Sequence, residues 1–218
     1  MHFEILVEDK SGKVMLDLLV PRILGEGHTF NVHSYKGIGR IPKGLKASSD
    51  PNKRILLDQL PKLLAGYGNT FASYGSDYAA AVIVVCDLDT RNRSAFEQEL
   101  AQLAKGTKPC PKHAFCLAIE EGEAWFLGDL QAVKKAYVNA KDAVLGRYVN
   151  DSICGTWEVL ANAVYPGGAA ALEAKGWMAV GAEKSQWATV IPPHMDPTTN
   201  RSQSFDRFVS TLITIAEG

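Results

Sequence analysis

The stretch Ala80-Ala-Val-Ile-Val-Val-Cys-Asp87-Leu-Asp89 decides the fold. Small and β-branched apolar residues run unbroken from Ala80 to Cys86 and end in two aspartates one residue apart. A strand with one wet face alternates apolar and polar residues. This one does not, so it reads as a strand buried on both faces, as in a parallel sheet. Open α/β sheets bind ligands beyond the carboxyl ends of their strands. Two carboxylates at such an end repel each other unless a cation sits between them. Asp87 and Asp89 are therefore candidate ligands of a hard, oxygen-preferring metal such as Mg²⁺. The plainer reading of the same pair is a turn and helix cap.

Working outward, Phe3-Glu-Ile-Leu-Val7 reads as a first strand that ends at Glu8. Val14, Met15, Leu18, Leu19 and Ile23 then recur at helical spacing, with Ser11 as the expected N-cap and Gly25-Glu-Gly27 as the stop. Phe30, Val32 and Ser34 suggest a second strand. It leads into Lys36-Gly-Ile-Gly-Arg40-Ile-Pro-Lys43-Gly-Leu-Lys46, a glycine-rich loop with basic and no acidic residues. A helix is expected from Asp50-Pro-Asn through Leu64, kinked or split at Pro61, and residues 66–76 read as loop. Beyond Asp89, Phe96, Leu100 and Leu103 mark a helix. Ala114-Phe-Cys-Leu-Ala-Ile119 is another buried strand, running into Glu120, Glu121 and Glu123. Strand and helix alternate to this point, which predicts a doubly wound, mostly parallel sheet with helices on both faces. After residue 128 the pattern turns helical, over 129–145, 156–163, 168–175, 181–190 and 203–217, with Ser202 capping the last. The expectation is one domain, with an α/β core over 1–128 and an appended C-terminal helical lobe over 129–218.

Composition sets bounds on function. Of 218 residues, 46% are apolar and 22% charged, the profile of a globular protein. The net charge of -1 gives no global field for nucleic acid, so such binding would use a local patch. No apolar run is long enough to cross a bilayer, and the chain opens directly on strand-like sequence, so neither a membrane span nor a signal peptide is expected. Cys86, Cys110, Cys116 and Cys154 form no C-x-x-C pair and read as reduced thiols, implying a cytoplasmic protein.

If the sheet is parallel, Glu8, the Asp87/Asp89 pair and the Glu120–Glu123 group all reach one edge. Carboxylates gathered there need protonation or a cation. Mg²⁺ held by carboxylates, waters and phosphate oxygens implies phosphoryl transfer or phosphodiester cleavage. Ser11-Gly12-Lys13 is not a phosphate-binding P-loop, because the upstream glycine is absent and Val14 replaces the hydroxyl residue.

A glutamate after the first strand and a D-x-D after a later one resemble the Toprim domain of topoisomerases, primases and old-type nucleases. More narrowly, Glu8-Asp-Lys-Ser11-Gly, Asp87-Leu-Asp89 and Glu121-Gly-Glu123-Ala-Trp125 resemble small, largely uncharacterised bacterial Toprim-like proteins linked to phage defence. Lys184-x-x-Trp187 and Asn200-Arg-Ser202-Gln-Ser204-Phe205 are similar to that group as well. The first motif departs from the pattern, with Asp9 in place of the usual glycine and Gly12 where an acidic residue is common. The resemblance implies that Asp87 and Asp89 bind Mg²⁺, or Mn²⁺ in its place. It implies that Glu8 completes the metal site or acts as general base or acid, and that Glu123 holds a second metal. Lys36, Arg40 and Lys43 would neutralise substrate phosphates, and Lys184 would stabilise charge, against the plain reading of a solvated helix lysine. Two functions from different classes follow. One is a Mg²⁺-dependent nuclease or phosphotransfer enzyme acting on phosphodiester bonds. The other is a non-catalytic subunit that recognises nucleic acid, a nucleotide or a partner ATPase.

Overall fold

The structure is a computed structural model and describes residues 1–42 and 54–218. Strands β1 (His2–Val7), β2 (Thr29–Ser34), β3 (Ala80–Asp87) and β4 (His113–Ala118) form one sheet in the order β2-β1-β3-β4, with every neighbouring pair parallel. Helices α1 (Lys10–Leu24), α2 (Leu56–Ser73) and α3 (Arg93–Gly106) connect them. The chain steps from β1 outward to β2, crosses back past β1 to β3, and steps outward again to β4. With crossovers of one hand, that reversal sends the connecting helices to opposite faces. Met15, Leu16 and Leu19 of α1 accordingly pack on Phe3, Ile5, Ile83 and Val85. Leu56, Leu60 and Leu64 of α2 and Phe96 and Leu100 of α3 pack on Leu6, Val82, Val84 and Cys86. The unbroken apolar run of β3 is thus split between two cores by the strand's two-residue period.

Seven further helices follow the sheet: α4 (Glu123–Leu127), α5 (Leu130–Ala136), α6 (Asp142–Leu145), α7 (Thr156–Val164), α8 (Gly168–Glu173), α9 (Trp177–Val190) and α10 (Gln203–Glu217). Their apolar sides join the α1 face of the sheet in one core. α9 packs along α1, and α10 lies against β4 and α1. Trp125 of α4 anchors this layer. It stacks on Phe208, with ring centroids 5.0 Å apart, and its indole N–H donates to Ser204 Oγ at 3.0 Å. Asp151 accepts from the Ser204 backbone N–H at 2.8 Å and from the Ser202 hydroxyl at 2.7 Å. The Asn200–Phe205 segment therefore serves packing and capping, and Ser202 caps α10 as expected, accepting from Phe205 N–H at 3.1 Å. No helix among the described residues is long and apolar enough to cross a membrane.

Several local expectations need correction. The N-cap of α1 is Asp9, whose carboxylate accepts from Gly12 N–H at 2.7 Å and from the Ser11 hydroxyl at 2.5 Å. A carboxylate two residues nearer the strand end outcompetes the serine. α2 is one helix that passes through Pro61 and ends at Ser73, so the loop expected from residue 66 fails. Gly, Tyr and Ser suggested loop by composition, but Tyr67 and Phe71 keep helical spacing and pack against the α2/α3 core. Gly68 permits a close approach, since a Cβ there would lie 2.7 Å from the Pro109 carbonyl oxygen. The helical segment expected over 129–145 is divided into α5 and α6. The helix start expected at Asp50-Pro-Asn, together with Lys43 and Lys46, lies outside the described residues.

Candidate functional site

Because β1 and β3 are adjacent and in register, with Val7 opposite Val85, their carboxyl ends emerge side by side. This is the point where the strand order reverses, the position at which doubly wound sheets bind ligands. Glu8 and Asp87 meet there, and the Asp87 backbone N–H donates to Glu8 Oε2 at 3.3 Å. From β4 the chain turns through Glu120, in the left-handed region at φ 62, and re-enters as α4 with Glu123 at its first position. Glu8, Asp9, Asp87, Glu123 and Lys184 line a cavity of about 30 Å³, with Met15 and Trp125 among its apolar lining. That is room for about two water molecules. Gly12 also borders it, and a Cβ there would lie 2.6 Å from Val7 Cγ2, so close packing of α1 on the strand end demands glycine.

The carboxylates divide into two sets. Glu123 is buried, and its Oε2 lies 3.2 Å from Lys184 Nζ; Glu121 Oε2 lies 3.3 Å from the same nitrogen. The Lys184 side chain is only 18% exposed, so it is an internal counter-ion and not a solvated helix lysine. Glu8 and Asp87 are different. Among the described residues neither has a lysine or arginine within ion-pair distance, and the Asp87 carboxylate accepts no hydrogen bond.

Burial pushes the Glu8 carboxyl up to about 7; the Asp87 N–H and the Lys184 charge oppose this, while Asp9 and Asp89 add to it. Asp87 is raised well above the usual range by burial and by the Glu8 and Glu123 charges, against the pull of Lys184. Burial also raises Glu121, to about 7, and Glu123, in both cases against the pull of Lys184. For Lys184, burial works against the charge, but Glu123 and Glu121 outweigh it and hold the ammonium firmly protonated.

The remaining candidates lie outside this cavity. Asp89, with φ 49, turns away, and its carboxylate meets Arg91 Nη1 at 2.7 Å with the side chain 49% exposed. Lys36 and Arg40 are exposed. Their loop is nevertheless tied to the site, because Gly37 N–H donates to the Glu8 carbonyl at 2.8 Å. Glu120 does not face the cavity. Its carboxylate accepts from the N–H groups of Cys154, Gly155 and Thr156 and from the Thr156 hydroxyl, capping α7. Those bonds outweigh burial and hold its carboxyl below the usual range. Asp9 is a cavity residue that sequence inspection did not single out; its D-x-x-G spacing ahead of a helix was the available signal.

Among the described residues no set of three or more His, Cys, Asp or Glu side chains is grouped closely enough to hold a metal ion. The site offers two carboxylates that, among the described residues, are in no ion pair, with the Lys184 ammonium on the same cavity wall. That suits Mg²⁺, which commonly takes one or two carboxylates and completes its octahedron with water and substrate phosphate. A family model described as Domain of unknown function (DUF4276) matches residues 7–213. No curated protein and no solved structure matches the chain.

Proposed function

The chain belongs to the DUF4276 family, and we propose that it is a Mg²⁺-dependent, Toprim-like enzyme that cleaves or transfers phosphodiester bonds, acting as a nuclease in bacterial phage defence. One observation carries the reading. Glu8 and Asp87 sit side by side at the reversal point of a parallel sheet, with no lysine or arginine in ion-pair contact among the described residues. Two carboxylates without an ion-pair partner, only partly offset by Lys184 across a small cavity, are poorly stable alone and suited to a hard cation. Mg²⁺ or Mn²⁺ bound there would polarise a phosphoryl oxygen and acidify a water. Asp87 is the principal ligand. Glu8, with its carboxyl near 7, is placed to share the cation or to take a proton from a water or hydroxyl at neutral pH. The exposed Lys36 and Arg40, on a loop anchored to Glu8, are suited to meet substrate phosphates, and Lys43 continues that loop in sequence. The phage-defence setting rests on the sequence resemblance.

The test is Asp87→Asn, which keeps size and removes the charge. The native chain should degrade DNA, RNA or a nucleotide only with Mg²⁺ or Mn²⁺, and the variant should lose this and its calorimetric Mn²⁺ binding. Undiminished metal-dependent cleavage by the variant overturns the reading. A second reading, a non-catalytic subunit that binds nucleic acid, a nucleotide or a partner ATPase, is favoured by the absence of a third metal-ligand carboxylate among the described residues and by the pairing of Asp89 with Arg91. Retained nucleic-acid binding with no Mn²⁺ binding by the native chain would select it.

A further inference from the structure

We infer that the site holds a single divalent cation, at Glu8 and Asp87, and that the Lys184 ammonium stands where a second cation would otherwise sit, between Glu121 and Glu123. The inference rests on the proposed metal chemistry and narrows it. Two-metal phosphodiester sites place the ions roughly 4 Å apart and use the second to offset charge that one ion cannot. Here the second half of the carboxylate cluster already has its cation. Lys184 Nζ lies within 3.3 Å of a carboxylate oxygen from each of Glu121 and Glu123. Glu123 is buried and the Lys184 side chain is 18% exposed, so the three charges are largely removed from water.

A pair of that kind holds together firmly, because extracting either partner leaves an uncompensated charge in a poorly solvated place. α9, which carries Lys184, is also packed along α1 and has its Trp187 fully buried three residues on, so the backbone from which the ammonium reaches Glu121 and Glu123 is held in place. A divalent ion entering between Glu121 and Glu123 would have to expel the ammonium or sit beside it against direct repulsion. The barrier at Glu8 and Asp87 is lower: Lys184 borders the same cavity and its charge reaches both carboxylates, but among the described residues neither carboxylate is in an ion pair, so a cation there need not displace the ammonium. Glu123, which the sequence resemblance made a ligand of a second metal, is thereby reassigned as a ligand of Lys184.

Mn²⁺ titrated into the full chain, followed by calorimetry and by electron paramagnetic resonance, tests this. The native chain should bind one Mn²⁺ with the sharp six-line spectrum of an isolated ion. Lys184→Met should bind two, with spectra broadened by coupling between neighbouring ions. The charge-balanced pair Lys184→Met/Glu123→Gln, which covers the case in which the single variant does not fold, should return to one ion with a Kd within about fivefold of native. Two ions in the native chain, one ion in a folded Lys184→Met chain, or lost binding in the charge-balanced pair overturns the inference while leaving the metal reading intact. No Mn²⁺ bound by the native chain overturns both.

Discussion

Replacing Glu8 by glutamine should stabilise the metal-free protein at alkaline pH while abolishing its response to metal. The Glu8 carboxyl lies near 7 in the fold against an ordinary value of 4.5, because it is buried beside Asp87, Asp9 and Asp89. Ionising it in the folded chain instead of the unfolded one therefore costs up to about 3 kcal/mol. The sign follows from proton counting. Between 4.5 and about 7 the folded chain binds more protons than the unfolded chain, so stability falls as pH rises through that window. Glutamine cannot ionise, and its amide oxygen can still accept the Asp87 N–H. Urea unfolding in a chelator should thus show native and Glu8→Gln chains matched below the window and the variant more stable by up to about 3 kcal/mol at about pH 8. Taking the difference between the two chains cancels the titrating groups that do not feel Glu8; Asp87, which the Glu8 charge raises, contributes to the difference in the same direction. Added Mg²⁺ should reverse the order, since only the native site gains from binding. A native chain whose stability, relative to the variant, stays level or rises across the window would refute the electrostatic account of the site.

Two further substitutions probe the scaffold that shapes the site. Glu120→Gln removes the charge that caps α7 through three backbone N–H groups and the Thr156 hydroxyl, and should cost about 2 kcal/mol in urea unfolding near neutral pH. Because the Glu120 carboxyl is held below its ordinary value, this contribution is present above the usual carboxylate range and should vanish as pH falls through its folded-state pKa. Ser204→Ala strands the buried Trp125 indole N–H and takes a hydroxyl donor from Asp151, and should cost about 2 kcal/mol with a changed near-ultraviolet tryptophan signal.

Strand β3 shows what local sequence can carry. An unbroken apolar run needs apolar cover on both faces, and alternating strands and helices supply it in only a few ways, so a parallel sheet with carboxylates gathered at one edge followed from pattern alone. The same reasoning misread the Gly66–Ser73 stretch, because glycine, tyrosine and serine were weighed by composition while Tyr67 and Phe71 were already spaced for a helix.

The direction in which each carboxylate points was not legible in the chain. Glu8 and Asp87 converge because β1 and β3, far apart in sequence, are neighbours in the sheet. Asp89 and Glu120 belong to the same acidic strand ends, yet left-handed backbone at each sends one to Arg91 and the other to the start of α7. The ammonium that pairs with Glu121 and Glu123 comes from Lys184, 63 residues beyond Glu121, on a helix whose position is set by packing on α1. Residue type and spacing thus determined which groups could reach the sheet edge. Backbone handedness and long-range packing decided which of them face one another, because a side chain's partners depend on the three-dimensional path of segments that local sequence does not relate.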